Sequence, residues 1–248
     1  MQTEKMKIVA TIEARMTSSR LPGKVLMPAG GKAMLEHLVT RLRAVPSLDA
    51  VVLATTVNPS DDLLEVFAKQ QGIACFRGSE DDVMQRVIDA AASAGADVVV
   101  EITGDCPVID PQIVEQAIRM FQAHDAAYVG NAQVRSYPDG MDVQVFRLET
   151  LKRSAALTAD PLDREHVTLH IRKHPELFPH VHLVAPPEIH WPELGLTLDE
   201  PADYELLKRL IEHFASRPLF SCLDAVRLLR EQPQWLAINQ AVQRKGDS

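Results

Sequence analysis

The sequence predicts an α/β fold in which helices flank a mostly parallel central sheet. Two observations predict it. Short aliphatic and β-branched runs alternate with amphipathic stretches over the first half of the chain, the signature of repeated strand–helix units. The chain also has 248 residues, 46% hydrophobic and 24% charged, enough for one large core and ordinary for a single α/β domain.

In order, residues 6–13 read as a buried strand, followed by a polar loop to about Lys32. Residues 34–45 form an amphipathic helix with Leu35, Leu38, Val39 and Leu42 on one face. Residues 50–55 are a strand, 61–71 a helix capped by Ser60, and 73–76 a short strand. A helix over 81–94 and a β-branched strand over 97–102 follow. The next helix spans 111–124, with Pro111 in its first turn, where a missing N–H matters little. Beyond residue 126 the alternation changes. Strands at 127–129, 141–146 and 180–184 surround helices at 148–156 and 164–173. Residues 130–185 therefore read as an insertion within a single domain spanning 1–248, too short for a core of its own and suited to a lid or a dimerisation arm. A core strand at 196–198, a helix at 202–214 and a helical extension within 216–248 complete the chain.

Several function classes are disfavoured. A formal net charge of −8 opposes binding to nucleic acid or an anionic membrane except through a local basic cluster. No apolar run is long enough to cross a bilayer, and the N-terminus lacks the apolar stretch of a secretion signal. Cys75, Cys106 and Cys222 follow no disulfide or metal spacing, so the expected compartment is the cytoplasm.

Ligands of parallel sheets gather at the carboxyl edge, where helix N-termini and loop amides converge. Three loops there are rich in polar groups. The loop 14–24 holds Ala14, Arg15, Ser18, Arg20 and Lys24, and its three cations suit a triphosphate as well as a solvated surface loop. It matches neither the P-loop nor the dinucleotide pattern. Asp105, just past the strand at 97–102, is placed either to hold Mg²⁺ or to form a turn before Pro107. Asp199 is placed either as a second metal carboxylate or as the cap of the helix after Pro201. Cys106 has no base at motif spacing and is rejected as a nucleophile. His166 and His170 lie four apart on one helix face, but not in a zinc-protease pattern, so a substrate or interface helix is expected there.

Taken together, six blocks resemble the sugar-acid cytidylyltransferases, which activate sugars such as Kdo and sialic acid, and within them most closely the spore coat polysaccharide biosynthesis protein F group. These are Ala14-Arg15-x-x-Ser18-x-Arg20-Leu21-Pro22-x-Lys24, Arg77-Gly78-Ser79-x-x-Asp82-Val83, Thr103-Gly104-Asp105-Cys106-Pro107, Tyr137-Pro138-x-Gly140-x-Asp142-Val143, Arg164-Glu165-His166-Val167-Thr168 and Leu198-Asp199-Glu200-Pro201-x-Asp203-Tyr204. The resemblance covers about residues 6–215. It implies a Rossmann-like nucleotidyltransferase fold with a small protruding α+β dimerisation segment, and hence a homodimer. It further implies that Arg15, Arg20 and Lys24 hold the triphosphate of CTP, that Asp105 and Asp199 hold Mg²⁺, and that the block from Arg77 through Gly78 and Ser79 to Asp82 contacts the base. Arg15, Lys24 and Asp105 become the expected catalytic groups, and Tyr137, Asp142, Arg164 and His166 the expected substrate contacts. Two departures stand out: Gln144 occupies a position where an acidic residue is expected, and Met16-Thr17 replaces the usual pair of the Kdo enzymes.

The implied reaction is attack by a hydroxyl of an acidic sugar on the α-phosphorus of CTP, with pyrophosphate leaving. Such transfers depend on positioning and charge neutralisation and need no protein nucleophile. Arg135 or Arg164 would then meet the sugar carboxylate. A different acceptor, such as a sugar phosphate, a polyol phosphate or a phosphonate, would use the same nucleotide loops. A non-catalytic assembly protein would not be expected to keep Lys24, Asp105 and Asp199, and a related glycosyltransferase should carry a D-x-D that is missing here.

Overall fold

Strand β1 (Ile8–Glu13) lies inside the sheet because both of its faces are covered, and the alternation of its residues says by what. Ile8, Ala10 and Ile12 enter one apolar core, while Val9 enters the other. The computed structural model describes residues 5–243; the ends of the expected domain, 1–4 and 244–248, lie outside the described residues.

A small antiparallel pair, β2 (Pro28–Ala29) and β3 (Lys32–Ala33), follows the first loop and leads into α1 (Met34–Arg43). Then come β4 (Ala50–Thr56), α2 (Asp62–Gln71), β5 (Ala74–Gly78), α3 (Val83–Ser93), β6 (Val98–Thr103) and α4 (Pro111–Ala123). The later chain provides β7 (Tyr128–Gly130), β8 (Gln144–Arg147), α5 (Leu148–Leu157), α6 (Pro161–Glu165), α7 (Leu169–Lys173), β9 (His180–His182), α8 (Pro201–His213), α9 (Cys222–Glu231) and α10 (Pro233–Leu236). Seven strands form the main sheet in the order β5-β4-β1-β6-β8-β7-β9. Strands β5, β4, β1 and β6 are mutually parallel, β8 runs antiparallel to β6 and β7, and β9 returns parallel to β7. The segment 130–185 thus adds β8 and β9 to the central sheet itself.

One core packs α1, α2, α4, α8 and α9 against the sheet, and the other packs α3, α5 and α7 on its opposite face. Each fully buried aliphatic side chain contributes roughly 1.5–3 kcal/mol. On the α3 side the strands turn polar toward the carboxyl edge. In β1 the series is Val9, Thr11, Glu13, and in β6 it is Val99, Glu101, Thr103. That change in chemistry marks where the core stops and a ligand site begins.

Four expectations need correction. Residues 196–198 are buried but form no strand: Leu196 donates to the Asp139 carbonyl at 2.7 Å within an isolated parallel bridge between Asp139 and Gly195, and Leu198 donates to the Asp105 carbonyl at 2.8 Å. The single helix expected over 164–173 is broken into α6 and α7, because Val167 adopts a φ of 38°. That conformation is disfavoured for a β-branched residue. Ser60 does not cap α2. It lies in a short 3₁₀ turn, and Asp61 is the cap position, its carboxylate spent on Thr55, Thr56 and the Met16 N–H. The C-terminal helical stretch is interrupted at Gln232, before Pro233.

Candidate active site

A cleft of about 860 Å³ opens at the carboxyl edge of β1 and β6. Its wall begins with the loop after β1. Gly23, in a left-handed turn with φ 71°, donates to the Met16 carbonyl at 2.9 Å and folds the loop back on itself. Lys24 follows and starts a 3₁₀ turn whose side chain is delivered inward, with 9% of the residue exposed. Strand β6 ends in Thr103 and Gly104. A Cβ on Gly104 would sit 2.7 Å from the Glu13 carbonyl, so only glycine lets the two strand ends approach this closely. The next residue is Asp105.

Asp199 reaches the same point from far along the chain. The Leu198 N–H and the Thr197 hydroxyl both donate to the Asp105 carbonyl, at 2.8 and 3.3 Å, and tie the two segments together. The Lys24 ammonium then lies between two carboxylates, 3.1 Å from Asp105 Oδ2 and 3.0 Å from Asp199 Oδ1. Arg20 adds a second cation, 2.9 Å from Asp199 Oδ1. Burial alone would lower the pKa of Lys24, but Asp105 and Asp199 outweigh it and hold it above the usual lysine value. Burial would likewise raise Asp105, yet the Lys24 ammonium keeps its carboxyl below the ordinary range.

The helix-cap alternative for Asp199 is excluded. Glu200 is the cap residue of α8, and it forms a capping box with Asp203, whose carboxylate accepts the N–H groups of Asp199 and Glu200. Two hard anionic oxygens facing one cleft are a fitting donor set for Mg²⁺, provided phosphate and water oxygens complete the shell. Among the described residues no group of three or more His, Cys, Asp or Glu side chains is arranged to hold a metal. His170 is instead buried against the Ser154 hydroxyl, 3.0 Å from its Nδ1. Burial pushes the Cys106 thiol well up, consistent with its rejection as a nucleophile.

The other expected site residues divide. Ala14, Arg15, Ser18, Arg20, Lys24, Asp105, Asp142, His166 and Asp199 all line the cleft. Arg15 is 3.0 Å from Glu80, which also accepts the Thr17 hydroxyl at 2.7 Å. The 77–82 block, expected to contact the base, does not line the cleft through Arg77, Gly78, Ser79 or Asp82. Arg77 bonds Asp62, Glu65 and the Thr56 and Asn58 carbonyls, clamping β5 to α2. Ser79 receives the Asp82 N–H at 3.0 Å. Asp82 caps α3 and pairs with Arg164 at 2.9 and 2.5 Å. Arg164 is therefore spent on Asp82, leaving Arg135 as the cleft-lining member of the two arginines considered for a sugar carboxylate. Tyr137 is buried, its hydroxyl 3.5 Å from the Val184 carbonyl and its pKa pushed up to about 12 by burial.

Residues not anticipated also line this space: Glu13, Glu80, Arg86, Glu101, Asp139, Gln144 and Arg172. Glu13 and Glu101 stand on one face of the adjacent strands β1 and β6. Burial first, and then for Glu13 the neighbouring Glu101 charge, push both upward, Glu101 to about 7 and Glu13 well above its usual value. Gln144 donates its amide to Glu101 Oε2 and accepts the Tyr128 and Thr168 hydroxyls, at 2.8 and 2.5 Å. The signal for the two acids was present in the sequence as glutamates on the periodic face of apolar strands.

Such a sheet edge, with cations and paired carboxylates converging in one cleft, defines a nucleotidyltransferase. The chain belongs to the cytidylyltransferase family, whose sequence profile matches residues 9–232, further toward the C-terminus than the motif resemblance reached. It is 35% identical to the spore coat polysaccharide biosynthesis protein SpsF of Bacillus subtilis, over 97% of this chain and 99% of the relative. It is 34% identical to the 3-deoxy-manno-octulosonate cytidylyltransferase of Pelobacter propionicus, over 46% of this chain and 44% of the relative. The solved structure of a cytidylyltransferase from Leptospira borgpetersenii superposes with a TM-score of 0.89 at 32% identity, covering 97% of this chain and all of the other.

Proposed function

We propose that the protein transfers CMP from CTP to a hydroxyl of an acidic sugar of the ulosonic or nonulosonic type, releasing pyrophosphate for surface polysaccharide synthesis. The observation that carries this reading is the Lys24 ammonium shared by Asp105 and Asp199, with Arg20 beside it. In the free protein these charges neutralise one another. A bound triphosphate would give Lys24, Arg20 and Arg15 anionic partners, and Asp105 and Asp199 are the residues that would hold Mg²⁺. Mg²⁺ bound there would stabilise charge on the α-phosphate oxygens. The acceptor oxygen attacks the α-phosphorus, the bond to the bridging oxygen breaks, and the cations neutralise the departing pyrophosphate. Arg135, at the cleft rim, suits the acceptor carboxylate.

The working unit in this reading is a homodimer joined through residues 130–185. That segment exposes Val134, Leu157, Leu162, Leu177 and Val184, a density of apolar surface that suits a partner copy. Light scattering at micromolar concentration should give twice the mass of the chain, and a monomer would count against it. The deciding experiment for function crosses nucleotides with acceptors and reads pyrophosphate release. CTP with a ulosonic acid should turn over best. Turnover only with a sugar phosphate, polyol phosphate or phosphonate would replace the acidic acceptor.

A further inference from the structure

We propose that Asp61, a buried residue outside the cleft, is the positioning residue of the loop 14–24, setting Arg15 and Lys24 where a triphosphate is held. This rests on the nucleotidyltransfer reading above, in which that loop binds the triphosphate, and adds the residue that fixes the loop in place. Asp61 ends the 3₁₀ turn Pro59–Asp61 after β4, is 0% exposed and does not line the cleft. Its Oδ1 accepts the Met16 N–H at 2.8 Å. Its Oδ2 accepts the Thr56 N–H at 3.1 Å, with the Thr55 and Thr56 hydroxyls at 2.9 and 2.6 Å on the same oxygen. The acid thus joins the end of β4 to the loop after β1. Burial would raise its pKa, but the Thr56 hydroxyl, the Met16 N–H and the Thr55 hydroxyl outweigh burial and hold it below the ordinary range.

Met16 is where the loop is knotted. Its N–H goes to Asp61, and its carbonyl accepts the Gly23 N–H at 2.9 Å. Arg15 directly precedes Met16 and Lys24 directly follows Gly23, so each cation is one peptide away from a fixed point. The loop has a second tie of a different kind. Arg15 and the Thr17 hydroxyl both reach Glu80, an acid that lines the cleft and is open to competition from a bound anion. Asp61 is shielded from any such ligand. Its role also requires a carboxylate. The two N–H donors are obligatory, one to each oxygen, and neither can turn away as a hydroxyl can. An amide of the same shape accepts on one side only, and its NH₂ group would oppose an N–H on the other.

The test compares two probes on wild type, Asp61→Asn, Thr55→Val and Arg15→Ala. CTP carries the triphosphate, and CMP shares its base and sugar but lacks the two outer phosphates. Calorimetry gives the dissociation constants, and melting curves give the stability. Asp61→Asn should weaken CTP about tenfold or more and CMP less than about twofold, the loss expected when a charged contact is displaced. Turnover at saturating CTP should also fall, by up to about 10²-fold, because the leaving group is misaligned. Thr55→Val removes a hydroxyl from the same acid and keeps both N–H contacts. It should lower the melting temperature and leave the CTP-to-CMP ratio at its wild-type value. Equal weakening of CTP and CMP in Asp61→Asn, or a ratio shifted as far by Thr55→Val, would overturn the proposal and leave the parent reading in place. An Arg15→Ala protein with wild-type CTP affinity would instead overturn the triphosphate reading of the loop. If Asp61→Asn does not fold, hydrogen exchange in wild type decides. The Met16 amide should be protected to the level of the β1 amides, and exchange at the rate of an open loop would show that Asp61 does not hold it.

Discussion

The two ends of the cleft neutralise buried carboxylates in opposite ways. At the Lys24 end, Asp105 and Asp199 share its ammonium, and the interaction keeps the Asp105 carboxyl below its ordinary range. At the other end, Arg86 acts on Glu13 and Arg172 on Glu101, yet burial keeps both carboxyls shifted upward. The first arrangement is made of ions that can change partners when a charged ligand arrives. The second is governed by burial, which the neighbouring arginines do not overcome. One sheet edge thus sets its acids in two ways.

The largest effect should come from removing anionic oxygen at the Lys24 end. Asp105→Asn and Asp199→Asn should each lower Mg²⁺-dependent turnover by up to about 10³-fold. Circular dichroism should still show a folded protein, because the amide preserves shape. An active Asp199→Asn would return that residue to a purely electrostatic partner of Lys24 and Arg20. Next, Lys24→Ala should lower turnover by roughly 10²-fold. It should also lower the melting temperature of the free protein, since two facing carboxylates lose their shared cation. A normal rate would mean the ammonium serves the fold alone.

A smaller effect concerns Asp82, which does not line the cleft although Glu80 and Asp81 of the same block do. Asp82→Ala should cost about 1–2 kcal/mol of stability, because it removes the cap of α3. The KM for CTP should stay close to wild type, and a large rise would put the block back in contact with the base. The smallest effect concerns pH. Burial first, and then the Asp139 charge, raise Asp142 from 3.8 to about 6. A carboxyl with a raised folded pKa favours folding while protonated, so its contribution is present below about pH 4 and lost as pH rises through about 6. The melting temperature of the free protein should therefore drift down across that window, and Asp142→Asn should flatten the drift. An unchanged slope would assign it to Glu13 and Glu101.

Much of this was legible because local chemistry and global fold agree over the parallel half. Alternating aliphatic runs marked β1, β4 and β6, and the cation-rich loop 14–24 marked the Lys24 end. What escaped depended on distant partners. Leu196 and Leu198 have a strand's apolar character, but their hydrogen bonds go to loop carbonyls. The helix over 164–173 looked continuous because nothing local announces the positive φ of Val167. Arg164 and Arg135 were indistinguishable as sequence, and only the fold shows that Asp82 occupies one of them. Of the two glutamates, Glu13 ends β1 and reads as its boundary, while Glu101 lies within β6, where a charged residue on the periodic face of an apolar strand was the available signal.

Arg41 ties the first helix to the far end of the chain. Its guanidinium is 2% exposed, yet its donors are met by the carbonyls of Ile109, Pro218 and Phe220, and its flat face lies 4.3 Å from the centroid of the Phe220 ring. Two of these acceptors lie 177 and 179 residues downstream. While the protein is being synthesised, α1 is complete long before those carbonyls exist, and an unmatched buried guanidinium is too costly to seal away. Without residues 218–220 the guanidinium would keep the Ile109 carbonyl alone, and leaving its other donors unmet in a buried place would cost stability.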